Sequence, residues 1–304
     1  MVIGIIKKNK IMAENSQIQW TDATWNIAVG CSKVDADCKY CYMYRQSLNN
    51  TRYDPFNIRR TKDVFTMPLR YKETQSKVWA GRPLIFTCSL TDFFHEGIDS
   101  FRNEAWDIIR KCPHLIFQIL TKRPERIAQC LPPDWGNGWD NVWLGTSVGS
   151  QSSIERMEIL AKFETNCIKF LSLEPLHGRI DLLYKNIDLI HPDNEGEGVE
   201  IIKAFDWIIT GGESGNDHGR YLYRECRLEW IEEIVNDCDY ADVPVFVKQM
   251  GTHLGKQLKL ADRHGGDINE FPENLRIRQF PTAAALSITR GEEYALQLVA
   301  PNKK

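Results

Sequence analysis

The sequence predicts an α/β fold, a parallel sheet covered by helices, on three observations. Seven short runs, residues 25–29, 84–88, 115–120, 142–146, 168–172, 207–210 and 243–247, are predominantly apolar, as strands buried on both faces are. Segments of helical period lie between them. Phe101, Ala105, Ile108, Ile109 and Cys112 fall on one helix face, as do Leu228, Ile231, Ile234, Val235 and Cys238. Strand after strand then ends in a polar or charged residue, which a purely structural sheet does not require. Six or seven such units fit a (β/α) barrel or a doubly wound open sheet, and periodicity alone does not separate the two.

A length of 304 residues allows one large or two smaller domains, and 42% hydrophobic residues suffice for a core. The net charge of −3 gives no general argument for nucleic-acid binding, although a local basic groove would not show in that sum. Nine cysteines without a secretory signal fit a reducing cytoplasm. No apolar run approaches the ~20 residues that span a bilayer, so no membrane association is expected. Residues 1–15 read as a flexible N-terminal extension: the apolar patch precedes Lys7, Lys8 and Lys10, the reverse of a signal peptide, and Met12 offers a second start.

Cys31, Cys38 and Cys41 stand in a C-x6-C-x2-C arrangement between the first strand and the following helix. Thiolates held this close form a metal site or a disulfide framework, and soft ligands select zinc or an iron–sulfur cluster. A structural zinc site wants four protein ligands. The other six cysteines are scattered singly, and the nearest histidine in sequence is His95. Three ligands with an open position match a [4Fe–4S] cluster that leaves one iron free for a substrate or cofactor.

The loop resembles the cluster loop of radical S-adenosylmethionine (SAM) enzymes, where an aromatic residue precedes the last cysteine as Tyr40 precedes Cys41 here. It departs from their usual spacing, with six residues between Cys31 and Cys38 rather than three. The whole chain resembles a narrower group, the phage-associated three-Cys-motif protein family, a domain of unknown function. The shared blocks include Ile-Gln-Trp-Thr-Asp-Ala-Thr-Trp-Asn from Ile18, Ser-Leu-Thr-Asp-Phe-Phe-His-Glu from Ser89, Leu-Thr-Lys-Arg-Pro-Glu-Arg from Leu120 and Gly-Gly-Glu-Ser-Gly from Gly211. The resemblance implies a partial (β/α) barrel of about six parallel strands with a seventh beside it, spanning residues 16–251, and a C-terminal extension, 252–304, packed against it. It also implies a [4Fe–4S] cluster on Cys31, Cys38 and Cys41, SAM as cofactor and a flavodoxin- or ferredoxin-like electron donor. The expected substrate is a nucleic-acid base or nucleotide. The alternatives are a zinc-holding nucleic-acid-binding module and an iron–sulfur redox or sensing protein that does not cleave SAM.

Chemistry in a parallel barrel gathers at the C-terminal rim of the strands. The residues there are Thr91 and Asp92, Lys122 and Arg123, Ser147, Glu174, then Gly211, Gly212, Glu213 and Ser214, and finally Lys248 and Gln249. Singly, each is explained by a solvated loop or a helix cap; as a set they imply a polar pocket. In radical SAM enzymes a Gly-Gly-Glu segment after the second strand holds the methionyl amine. Here Gly211–Glu213 follow the sixth strand, so by order Asp92 is the carboxylate expected for the amine, and residues 211–215 are expected against the adenine or the substrate. Lys122 and Arg123 suit the SAM carboxylate or a phosphate, with a surface ion pair as the plain alternative. Tyr40 is assigned to the cofactor, Trp20 and Trp25 to the core, and His95 with Glu96 to a possible proton-transfer pair. The segment 52–72, with Arg52, Arg59, Arg60, Lys62, Arg70 and Lys72 among Tyr53, Phe56, Phe65 and Tyr71, fits either nucleic acid or a solvated helix face. Residues 191–200 read as an exposed acidic loop, and 281–286 as a segment packing on the barrel.

Overall fold

The computed structural model of the chain describes residues 16–44, 54–186, 199–219 and 221–281. The N-terminal extension, Arg52 and Tyr53, most of the acidic loop and the tail beyond 281 lie outside the described residues. One sheet carries seven strands: β1 Ala23–Trp25, β2 Leu84–Thr87, β3 Ile116–Thr121, β4 Val142–Ser147, β5 Ile168–Leu176, β6 Trp207–Gly212 and β7 Val245–Gln249. Their spatial order follows the sequence, and every pairing is parallel. A doubly wound sheet reverses its strand order at a switch point. This one never reverses, so it is a singly wound half-barrel, left open because β1 and β7 do not pair.

Alternation along the strands divides the apolar side chains into two layers. Ile85, Phe117, Leu144, Leu171, Ile208 and Val245 point outward and pack with the helices in the larger core. Leu84, Phe86, Ile116, Trp143, Ile168, Phe170, Trp207, Ile209 and Phe246 point inward, where with Trp20 they form a second cluster that fills the lower barrel. Trp207 is central to that floor, its ring centroid 5.9 Å from Trp143, 5.8 Å from Phe170 and 5.3 Å from Phe280. Gly145 is required beside Phe170: a Cβ there would come within 2.4 Å of the ring.

The covering helices are α1 Arg102–Lys111, α2 Glu155–Lys162, α3 Leu228–Ala241 and α4 Gly251–Gln257. α1 and α3 bury the faces their sequence period indicates, and α3 ends at Asp242 in the left-handed conformation. Two strand boundaries differ from expectation. The run 25–29 is broken at Asn26, whose side chain turns away to accept the Leu90 N–H at 2.8 Å. Ala28–Val29 therefore leave the sheet and pair antiparallel with Arg59–Arg60. β7 starts at Val245 because Val243 N–H is spent closing α3, on the Cys238 carbonyl.

In the basic stretch, Arg60 lies over the Phe65 ring at 3.8 Å and pairs with Glu104, while Phe65 is buried in the core. These two side chains therefore serve packing. Beyond α4 the chain returns to cover the outer edge of β7: Val247 N–H donates to Ile277 O and Gln279 N–H to Val245 O. A bare strand edge invites pairing with other chains, and this segment removes it. Among the described residues no helix is long and apolar enough to cross a membrane.

Candidate active site

The strand C-termini surround a cavity of about 500 Å³ above the aromatic floor. Cys31, Cys38 and Cys41 all line it. Their loop leaves the barrel at Gly30, whose φ of +112° and close approach to Asn57 O exclude a side chain. Asp35 then accepts the Asp37 N–H and caps the 3₁₀ turn Ala36–Cys38.

Three braces fix this loop to the rim. Arg123, from the end of β3, donates to Ser32 O and Ser32 Oγ at 3.0 and 2.8 Å. Asp37 is buried and ionised, facing Arg156, 2.7 Å from His177 Nε2 and accepting Gly149 N–H at 3.0 Å. Burial alone would raise its pKa, but the His177 bond and the Arg156 charge outweigh it and hold the carboxyl well below the usual range. Arg224 donates to Ala36 O at 2.8 Å while both oxygens of Glu213 grip its guanidinium. Asp37, Arg156, His177 and Arg224 were not expected from the sequence.

The other expected positions stand as follows. Tyr40, Thr91, Asp92, Lys122, Arg123, Ser147, Glu174, Glu213 and Ser214 line the cavity, with Lys248 and Gln249 opposite. Asp92 is spent on its neighbours, accepting Thr121 Oγ1 at 2.7 Å and Lys122 N at 2.9 Å and facing Arg123 Nη1 at 3.3 Å. Thr91 Oγ1 is buried with no hydrogen-bond partner. Glu174 instead meets Lys248, Nζ to Oε1 being 2.5 Å and to Oε2 2.7 Å. Gly211 and Gly212 are absent from the cavity wall: they lie within β6 where the chain at 249–251 crosses, and a Cβ on Gly212 would meet Met250 O at 2.2 Å. Lys39 and Arg224 both stand over the Tyr40 ring.

His95 braces the loop, and its Nδ1 also lies 3.5 Å from Glu96 Oε2. Its Nδ1 accepts Gly97 N–H at 2.9 Å, so the proton sits on Nε2 and is donated to Ser32 Oγ at 2.8 Å. Burial, aided by Arg123, lowers its pKa and keeps it neutral. Burial also pushes the Cys31 thiol up to about 12, with Asp92 adding to the rise and Arg123 opposing it; Cys41 is raised by burial as well.

The donor set suits a cluster in kind: three thiols on one cavity, beside an unpartnered hydroxyl at Thr91. Among the described residues no three His, Cys, Asp or Glu side chains are gathered as one metal ion would need.

A family profile described as "Protein of unknown function (DUF5131)" matches residues 15–281. The chain belongs to the DUF5131 family. No curated protein matches this DUF5131 chain. Among solved structures it is similar to spore photoproduct lyase in several forms. A Cys-to-Ser mutant gives a TM-score of 0.41 at 12% identity, over 73% of each chain. The lyase complexed with dinucleoside spore photoproduct gives 0.39 at 14%, over 63% of this chain and 56% of that one. A double mutant with bound AdoMet and the same dinucleoside gives 0.38 at 15%, over 53% and 47%. In the AdoMet-bound form and two further mutants the DUF5131 chain spans a little under half of the lyase's length. At identities and scores this low the likeness carries no functional weight.

Proposed function

We propose that the cavity is the active site of a radical SAM enzyme in which Cys31, Cys38 and Cys41 ligate a [4Fe–4S] cluster. The observation that supports this best is the convergence of all three thiols on one cavity at the C-terminal rim of a parallel half-barrel, where barrel enzymes place their chemistry. When bound, the cluster would cleave SAM reductively and so supply a 5′-deoxyadenosyl radical that takes hydrogen from the substrate.

The chain's own residues divide the remaining work. Arg123, Asp37 and Arg224 hold the cysteine loop against the rim, so the ligand positions are set by the barrel. Lys122, with no ion-pair partner among the described residues, is suited to the SAM carboxylate. Tyr40 offers a face to the adenine, and Ser147 and Thr91 offer hydroxyls on the same wall. Asp92 and Glu213, both engaged by arginines, position the loop and are the weaker candidates for the SAM amine. The likeness to phage-associated three-Cys-motif proteins supports a nucleic-acid base as first substrate to test, a flavodoxin- or ferredoxin-like protein as electron donor, and a reducing cytoplasm as the setting.

The test is anaerobic. The protein is reconstituted with iron and sulfide, reduced with dithionite and mixed with SAM, and 5′-deoxyadenosine is measured beside the cluster's electron paramagnetic resonance spectrum. Product formation with a spectral shift supports the reading. A cluster that SAM does not perturb and that passes no electron to SAM replaces it with a redox or sensing role, and bound zinc removes it.

A further inference from the structure

Glu174 and Lys248 form an ion pair inside the barrel, their side chains 13% and 19% exposed. They stand on β5 and β7, which are not neighbours. β6 runs between them, and at this level it carries Gly211 and Gly212, so no side chain rises between carboxylate and ammonium. A desolvated pair of this kind contributes little net stability over apolar packing, and this one faces the cavity rather than the core. The same cavity is lined by the apolar side chains of Trp20, Phe86 and Leu120, which belong to or pack against the aromatic floor.

Resting on the reading of this cavity as a substrate-holding active site, we propose that Glu174 and Lys248 read the Watson–Crick edge of an unpaired nucleobase. A carboxylate only accepts hydrogen bonds and an ammonium only donates them. Their partner must therefore present a donor beside an acceptor. Every nucleobase does so on that edge, as N–H beside C=O or as amino beside ring nitrogen. Inserting such an edge replaces the ion pair's contacts one for one and leaves neither charge unmatched, while the ring lies along the apolar wall. An α-amino acid would match the charges equally well, but it would leave that wall and most of the volume unfilled. Lys33 and Lys39 on the cysteine loop stand over the rings of Tyr44 and Tyr40, two residues that line the cavity, and offer charge to a nucleotide's phosphate. A base still paired in a duplex has this edge covered, so the substrate is single-stranded, extruded or free.

The test is calorimetric titration of the whole protein with thymidine 5′-monophosphate and guanosine 5′-monophosphate, each against its N3-methyl or N1-methyl counterpart. The methylated forms keep the ring and phosphate but block the edge, and they should bind about tenfold more weakly or worse, the scale of one good bidentate base contact. Because only the probe changes, a folding defect cannot imitate this result. Glu174→Gln and Lys248→Met should erase the discrimination without altering SAM binding. Equal binding of methylated and unmethylated probes, or loss of SAM affinity in the variants, overturns the assignment. Absence of nucleotide binding in protein that still cleaves SAM overturns it too and leaves the proposed function standing. Edge discrimination in protein that never cleaves SAM supports the assignment and removes the radical reading.

Discussion

Asp37 Oδ1 lies 2.7 Å from His177 Nε2, while Oδ2 of the same carboxylate accepts Gly149 N–H and faces Arg156. One residue between Cys31 and Cys38 is thus fastened to the loops after β4 and β5. The six residues between Cys31 and Cys38 have a structural use here. This spacer carries Asp35 and Asp37 across the cavity mouth to Arg156, and the loop is held from the far side of the rim.

Asp37→Ala should be destabilising, because it leaves the buried Arg156 guanidinium with Asp35 as its remaining carboxylate partner and takes from His177 and Gly149 N–H the acceptor they face. Breaking a buried pair from one side costs about 3–5 kcal/mol, readable by urea unfolding. Iron retention after reconstitution should fall in parallel. A loss below about 1 kcal/mol would mean that the loop holds its place without this brace.

Single replacements Cys31→Ala, Cys38→Ala and Cys41→Ala should each abolish 5′-deoxyadenosine formation while leaving melting temperature close to the parent protein without cluster. The thiols face a cavity, not the packed layers, so their loss creates no core void. Turnover retained by any one of the three would remove that cysteine from the ligand set.

Gly145→Ala should destabilise the barrel by roughly 1–3 kcal/mol through overpacking, since the new methyl would press on the Phe170 ring. Phe170→Leu in the same chain should recover part of that loss, as contacting positions couple. Strict additivity in a double-mutant cycle would show that the two residues do not share the strain.

Asp262 gives a pH signature away from the cavity. Its carboxylate accepts His264 N–H at 3.0 Å and Gly266 N–H at 2.7 Å, and the first of these bonds does most to hold its pKa below the ordinary value. A group whose folded pKa is depressed contributes stability above its unfolded pKa, ~3.9 for aspartate, and loses it as pH falls toward the folded value. Asp262→Asn should therefore flatten the decline in melting temperature between about pH 5 and 3. Superimposable pH curves for parent and variant would contradict this.

The β/α alternation was legible because buried parallel strands are predominantly apolar on both faces, and the rim residues followed from strand order. The cysteine triplet was legible from spacing. What the sequence hid were the partnerships across the rim: Asp37 and His177 are 140 positions apart, and nothing local tells an aspartate which loop it will meet. Glu174 was visible as a rim carboxylate, but its pairing with Lys248 depends on the sheet curling over a glycine-bearing strand. Gly211 and Gly212 read as a ligand cradle and instead admit the backbone at Gln249 and Met250. Close approach by backbone and close approach by ligand leave the same glycine signature.

The aromatic layer of Trp143, Trp207, Phe170, Phe246 and Phe280 makes the barrel a dead end. Molecules that occupy a blind chamber queue: whatever rests nearest the bottom has to arrive before anything that sits above it, and leaves after it. Binding order is then imposed by shape, before any affinity is considered. Steady-state inhibition patterns would carry that order, with a ligand held near the mouth blocking both entry to and escape from the depth below.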